Sequence, residues 1–130
     1  MELRHIPYNW HDVDPLRRLL PALSANGSVV AASSEGGLFE HGSDEDIAAN
    51  LQVLRHGAPQ DAFIAGTVIR ADETGRRMHG SYNRAALSFR GIDAFAKLAE
   101  AEGWHITRRN DLAMTHDVCL GKTSTSTPVF

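Results

Sequence analysis

The chain has little of what several large classes of protein require. A single cysteine among its 130 residues, Cys119, excludes an internal disulfide. No stretch is long and apolar enough to span a membrane, and the first residues lack the apolar core of a signal peptide. We therefore expect a protein of the reducing cytoplasm, with no membrane partner.

The net charge is also small. The formal net charge is −3 at pH 7, and the basic residues are scattered along the chain apart from three short Arg pairs. This balance gives no electrostatic reason to expect a nucleic-acid partner. The apolar fraction of 42% is enough for one core. We assign residues 1–122 to a single α/β domain and expect the polar tail 123–130 to be disordered.

Several catalytic motifs are missing from the sequence. There is no glycine-rich phosphate loop, no HExxH pair and no G-x-S-x-G elbow. None of the seven histidines pairs with another at the spacing of a helix-borne metal site. His5 and His11 could still converge on an ion beside Asp12, but we predict no metal site.

The hydrophobic pattern predicts three helices. Asp14 and Ser43 are suitable N-cap residues, and each precedes apolar residues at helical spacing. Pro21 inside the first helix could kink or shorten it. The predicted helices cover residues 14–25, 43–56 and 94–102.

The same pattern predicts a mixed parallel and antiparallel sheet. We expect residues 28–33 to form a central strand covered on both faces, since this run is apolar without polar alternation. We expect 62–70 and 77–90 to form an antiparallel hairpin around a loop at 71–75. Residues 104–109 and 115–122 should form a C-terminal antiparallel hairpin.

A polar, glycine-rich loop follows the predicted central strand. Ligands of open α/β sheets bind outside the carboxyl ends of the strands, and Glu35 is the side chain at that position. Its carboxylate could contact a substrate or act as a general base. It could equally cap the loop by accepting hydrogen bonds from the backbone of Gly36 and Gly37. The sequence leaves both interpretations open.

Two aromatic residues flank Asn9 in a polar loop near the N-terminus. Tyr8 and Trp10 could meet a ligand there, because binding residues concentrate on loops. They could equally cover an edge of the core. The sequence favours neither interpretation.

Taken in order, these motifs resemble the C-terminal half of a class I S-adenosylmethionine-dependent methyltransferase. The resemblance rests on Tyr8-Asn9-Trp10 with the helix after it, on the strand ending at Glu35, on residues 99–104 and on the closing hairpin. In that family a helix joins the fourth and fifth strands, and the seventh strand is antiparallel. The resemblance implies a partial Rossmann-like methyltransferase sheet.

The resemblance also implies functional roles. Tyr8, Asn9 and Trp10 would lie near the cofactor, S-adenosylmethionine, while Glu35 and His41 would act on a small-molecule methyl acceptor. The family's glycine-rich cofactor loop and ribose-binding acid have no counterpart in this sequence. We therefore expect the cofactor to bind only together with an N-terminal half, and the isolated chain to be inactive.

Two other functions remain open. Half of a sheet leaves an unpaired strand edge and an apolar face, which proteins seldom leave exposed. The chain could therefore be a non-catalytic binding or dimerisation module, and on either interpretation we expect a homo-oligomer. A metal-assisted hydrolase using His5, His11 and Glu35 is the least favoured alternative.

Overall fold

The computed structural model describes residues 3–25, 27–78 and 90–124. Within these residues, helices alternate with strands early in the chain and two strands close it. The elements are α1 (Asp14–Ala25), β1 (Ala31–Ser34), α2 (Leu38–His41), α3 (Asp44–Gly57), β2 (Phe63–Ile69), α4 (Glu73–Met78), α5 (Ile92–Ala101), β3 (Trp104–Asp111) and β4 (Thr115–Lys122). None of the described helices is both long and apolar enough to cross a membrane.

The described strands form one open sheet in the order β1-β2-β4-β3. β1 and β2 are parallel, with Ala31 opposite Phe63. β4 lies antiparallel between β2 and β3. The predicted mixed α/β sheet and its C-terminal antiparallel hairpin are therefore confirmed.

The core lies on one face of this sheet. Alternate residues of β2 and β4 point into it, and α3 and α5 supply the other side. Trp104 is 0% exposed, and its indole N–H donates to the Leu51 carbonyl oxygen at 3.0 Å. This bond pairs the one polar group of the largest core side chain.

The opposite face of the sheet is more open at its β1 side. Ala31 and Ser33 are exposed there, and the Phe63 side chain beside them is 42% exposed. The prediction that residues 28–33 form a central strand covered on both faces is therefore wrong. The strand begins three residues later and forms an edge of the described sheet.

The predicted hairpin of residues 62–70 and 77–90 is also wrong. β2 pairs with β1 on one side and with β4 on the other. Residues predicted as a loop and as the start of a strand instead form α4, which Asp72 caps by accepting from the Gly75 N–H at 2.9 Å. The rest of the predicted strand, 79–89, lies outside the described residues.

The predicted helices are confirmed to within a few residues at their ends. α1 matches residues 14–25, and Pro21 lies inside it without ending it. α3 begins at a capping box in which Ser43 and Asp46 each bond the other's backbone N–H. In the predicted tail, Thr123 donates to the Gly103 carbonyl oxygen at 2.9 Å, while residues 125–130 lie outside the described part of the chain.

Candidate functional site

A cavity of about 470 Å³ opens at the carboxyl end of β1. Its floor is apolar and comes from α1, α3 and β2, through Leu16, Leu51, Leu54 and Ile64. Ser33 and Ser34 line it where β1 ends. The cavity therefore lies where ligands bind in open α/β sheets.

Three of the five predicted site residues line this one cavity. Tyr8 and Trp10 reach it from the N-terminal loop, residues 8–12, and Glu35 reaches it from the loop after β1. These positions are distant in sequence, and the fold brings them together.

The other two predicted residues are not among those that line the cavity. The Asn9 side chain closes a local turn, in which its Oδ1 accepts from the His11 backbone N–H at 2.9 Å. His41 is exposed at the last position of α2. Their assigned roles in binding and catalysis stay predictions.

Glu35 is solvent-exposed at the mouth of the cavity. The N–H of Gly36 donates to Thr67 Oγ1 at 3.1 Å. The acceptor for this loop N–H is therefore the Thr67 hydroxyl and not the Glu35 carboxylate. A carboxylate in this position can accept a hydrogen bond or a proton from a molecule in the cavity.

Asn50 lines the cavity too, although the sequence pattern did not single it out. It lies on α3 and is 2% exposed. Its Oδ1 accepts from the Tyr8 hydroxyl, and its Nδ2 donates to the carbonyl oxygens of Trp10 at 2.9 Å and Asp46 at 2.8 Å. The sequence held a usable signal, since Asn50 comes three residues after Ile47 on the apolar stripe of the helix.

An ion pair also joins the N-terminal loop to α3. His11 Nδ1 lies 3.0 Å from Asp46 Oδ1. Burial acts to raise the pKa of Asp46, but hydrogen bonds from His11 and Ser43 outweigh it, so that the pKa is lowered. The pKa of the Tyr8 phenol is raised by burial and by the nearby Asp46 charge. Tyr8 therefore stays a neutral donor at physiological pH.

α2, which the sequence did not reveal, carries a second missed carboxylate. Glu40 is buried, and its Oε2 accepts from Thr67 Oγ1 at 3.0 Å. The Thr67 hydroxyl oxygen is also the acceptor for the Gly36 N–H. This short chain of hydrogen bonds ties the loop after β1 to α2 and β2.

A buried arginine fixes the other side of α2. Arg90 Nη1 donates to the Phe39 carbonyl oxygen of α2 at 3.3 Å, and Nη2 donates to the Gly42 carbonyl oxygen just after it at 3.0 Å. Arg90 Nε also donates to Asp44 Oδ1 at 2.6 Å, at the start of α3. In addition, Phe39 packs directly over Gly66 of β2. α2 is thus held on two sides, although it has only four residues.

The described residues contain no group of three or more His, Cys, Asp or Glu side chains that could hold a metal ion. His11, one of the histidines considered for such a site, pairs with Asp46. The geometry of this region favours small-molecule binding in an apolar cavity with a carboxylate at its mouth.

Comparison with known proteins gives a fold relationship. No family model matches the chain, and no curated protein matches it either. It is similar to the structure of an O-methyltransferase from neocarzinostatin biosynthesis, solved with S-adenosyl-L-homocysteine and 1,4-dihydroxy-2-naphthoic acid, at a TM-score of 0.53 and 14% identity. The match covers 83% of this chain and 38% of that one.

A second similar structure is the magnesium protoporphyrin IX methyltransferase of Synechocystis PCC 6803 with S-adenosylhomocysteine bound. Its TM-score is 0.48 at 11% identity, over 74% of this chain and 47% of that one. The chain thus spans less than half the length of either structure. The likeness to the first structure shows a methyltransferase-like fold.

Proposed function

We propose that this chain forms the acceptor side of an S-adenosylmethionine-dependent methyltransferase. The observation that carries the proposal is the cavity at the carboxyl end of β1, where Tyr8, Trp10 and Glu35 meet within a methyltransferase-like fold. Methyl transfer needs little covalent help from a protein, because holding the reactants in line supplies much of the rate. A preformed apolar cavity suits that task.

Each predicted site residue then has a defined role. Tyr8 and Trp10 form an aromatic wall that excludes water, with Asn9 as the polar anchor of their loop. Glu35 orients the nucleophile of a small-molecule acceptor or takes its proton, and His41 assists from the end of α2. S-adenosylmethionine, when bound, supplies the methyl group.

The described residues fit an acceptor better than they fit the whole cofactor. The cavity is mostly apolar, and the chain holds neither the glycine-rich loop nor the ribose-binding acid of the family. β1 has a strand partner on one side only within the described residues. We propose that an N-terminal half of the fold covers this edge and completes the cofactor site.

Calorimetric titration with S-adenosylhomocysteine tests the proposal, on this chain and on a form extended upstream. We expect weak or no binding by the chain alone and measurable binding by the extended form. Glu35→Gln or Trp10→Ala should weaken binding of the cofactor or of an acceptor. Glu73→Gln is the matched control, because it removes an exposed carboxylate on α4.

A second candidate function is a non-catalytic binding or dimerisation module. Two features favour it: the exposed Phe63 on the open sheet face, and the edge of β1 that no other described strand pairs. The same titration separates the two functions. If the extended form has no affinity for S-adenosylhomocysteine, the methyltransferase assignment is wrong and the module takes its place.

A further inference from the structure

The aromatic wall of the cavity belongs to a loop with no regular secondary structure of its own. Residues 8–12 form one turn, closed by the Asp12 N–H donating to the Asn9 carbonyl oxygen at 2.9 Å. A segment this short does not set its own position relative to the sheet. Its position is fixed by what it touches. The Asp14 N–H at the start of α1 donates to Asp12 Oδ1 at 3.1 Å, and α3 provides the contacts to the rest of the loop.

Asn50 makes two of the contacts between this loop and α3. One side of its amide accepts from the Tyr8 hydroxyl, and the other donates to the Trp10 carbonyl oxygen. The second N–H of the amide donates to the Asp46 carbonyl oxygen one turn earlier in the helix, which fixes the amide's orientation. Both donors and the acceptor of this buried side chain are therefore paired.

The third contact, between His11 and Asp46, is weaker. His11 is mostly exposed, and exposed ion pairs contribute little to stability. The Asn50 side chain, unlike that of His11, is buried. A shift of the loop would therefore leave the buried amide of Asn50 without its partners on Tyr8 and Trp10. The loop therefore has one strongly preferred position.

We propose that Asn50 is a positioning residue, which holds Tyr8 and Trp10 at the cavity before a ligand arrives. The proposal deepens the methyltransferase function and rests on it for the identity of the ligand. Preformed walls raise affinity because the binding step no longer has to order them. Asn50 acts through the two aromatic residues and does not itself carry out chemistry.

The first test measures the loop without any ligand. Trp10 is half-buried at the cavity, whereas Trp104 is fully buried in the core. Acrylamide quenching of tryptophan fluorescence therefore reports on Trp10, with Trp104 as an internal reference. Asn50→Ala should increase the quenchable fraction, Tyr8→Phe should increase it less, and the control Gln52→Ala on the exposed side of α3 should leave it unchanged.

The second test measures ligand affinity against stability. In the upstream-extended form, Asn50→Ala should weaken S-adenosylhomocysteine binding about tenfold, because it removes both hydrogen bonds that hold the aromatic wall against α3. Tyr8→Phe should weaken it by a smaller factor while the thermal unfolding midpoint changes little. A residue with only a structural role would change the unfolding midpoint and leave affinity unchanged in the folded protein.

The two tests separate the positioning role from the methyltransferase function. Quenching that is unchanged in both Asn50→Ala and Tyr8→Phe overturns the positioning role, whatever the ligand. If Asn50→Ala does not fold, the quenching of Tyr8→Phe alone decides whether the positioning role holds. Failure of the unsubstituted extended form to bind S-adenosylhomocysteine overturns the methyltransferase function, while the quenching result still decides the role of Asn50.

Discussion

At Gly66 the sheet has no room for a side chain. A Cβ atom there would lie 2.5 Å from Cδ2 of Phe39, whose ring in turn packs against Phe95 at a centroid distance of 4.8 Å. Gly66→Ala should therefore displace α2 and lower the free energy of unfolding by about 1–3 kcal/mol. Urea denaturation followed by circular dichroism measures the change.

A double substitution controls for this interpretation. Phe39→Leu in the Gly66→Ala background should restore part of the lost stability, because the smaller side chain makes room for the methyl group. Strictly additive effects of the two substitutions would contradict the predicted clash.

At the residue scale the sequence located the cavity but not the groups that support it. Glu35 could be found because it follows an apolar strand, and Tyr8 and Trp10 because they are aromatic residues in a polar loop. Asn50 was passed over because one polar residue among apolar neighbours does not change the helical period. Glu40 was missed because its burial depends on a hydrogen bond to Thr67, 27 residues away in sequence.

Of the helices that the structure describes, α3 has the one N-terminus closed by a capping box. Ser43 Oγ accepts from the Asp46 N–H at 3.1 Å, and Asp46 Oδ2 accepts from the Ser43 N–H at 3.3 Å. Ser43→Ala removes the first of these bonds and should lower the free energy of unfolding by about 0.5–2 kcal/mol. Thermal denaturation provides the measurement. Ser28→Ala, an exposed serine outside the helices, serves as the matched control and should have almost no effect.

The β3–β4 hairpin carries a charge network that links stability to pH. Hydrogen bonds from Arg109 and then from His116 lower the pKa of Asp111 from 3.8 to about 2. A carboxylate with a lowered folded-state pKa stabilises the fold above its unfolded pKa, and this contribution is lost as the pH falls through the folded value. The contribution of Asp111 should therefore disappear between pH 3.8 and about 2.

Asp111→Asn tests this linkage. The substitution should make the fall in unfolding free energy across that pH interval less steep, by a small amount because the Asp111 side chain is 46% exposed. Asp61→Asn is the control. It changes another exposed carboxylate and should leave the fall in unfolding free energy as steep as in the unsubstituted protein. An equally steep fall in Asp111→Asn would show that the network does not contribute.

At the scale of elements, sequence periodicity was most successful where a pattern had room to repeat. α1, α3 and α5 each extend over ten or more residues, and all three were predicted. α2 has four residues and α4 has six, too few for a 3.6-residue period to show. The segment of α4 contains a glycine and charged residues, a composition that also suits a turn, so the pattern there favoured the wrong structure.

For the whole molecule, the open face of the sheet predicts association. Phe63 presents an apolar group, and the edge of β1 left unpaired by the described strands presents hydrogen-bonding groups beside it. We expect a homo-oligomer, most simply a two-fold dimer, when the chain is studied alone. Sedimentation velocity over a range of concentrations tests this. A compact monomer at the highest concentration would contradict the prediction and would weaken the proposal that a further half covers this face.

The place of β4 in the sheet bears on the synthesis of the protein. β4 is the last of the described strands along the chain, yet it lies between β2 and β3 and bonds to both. On the ribosome β2 must therefore keep one edge unpaired until β4 has emerged. Among the described strands, β3 pairs with β4 alone and so has to wait for it as well. The nascent chain presents strand edges to chaperones and to neighbouring chains during that interval. The aggregation hazard of this fold is thus greatest before β4 has emerged from the ribosome.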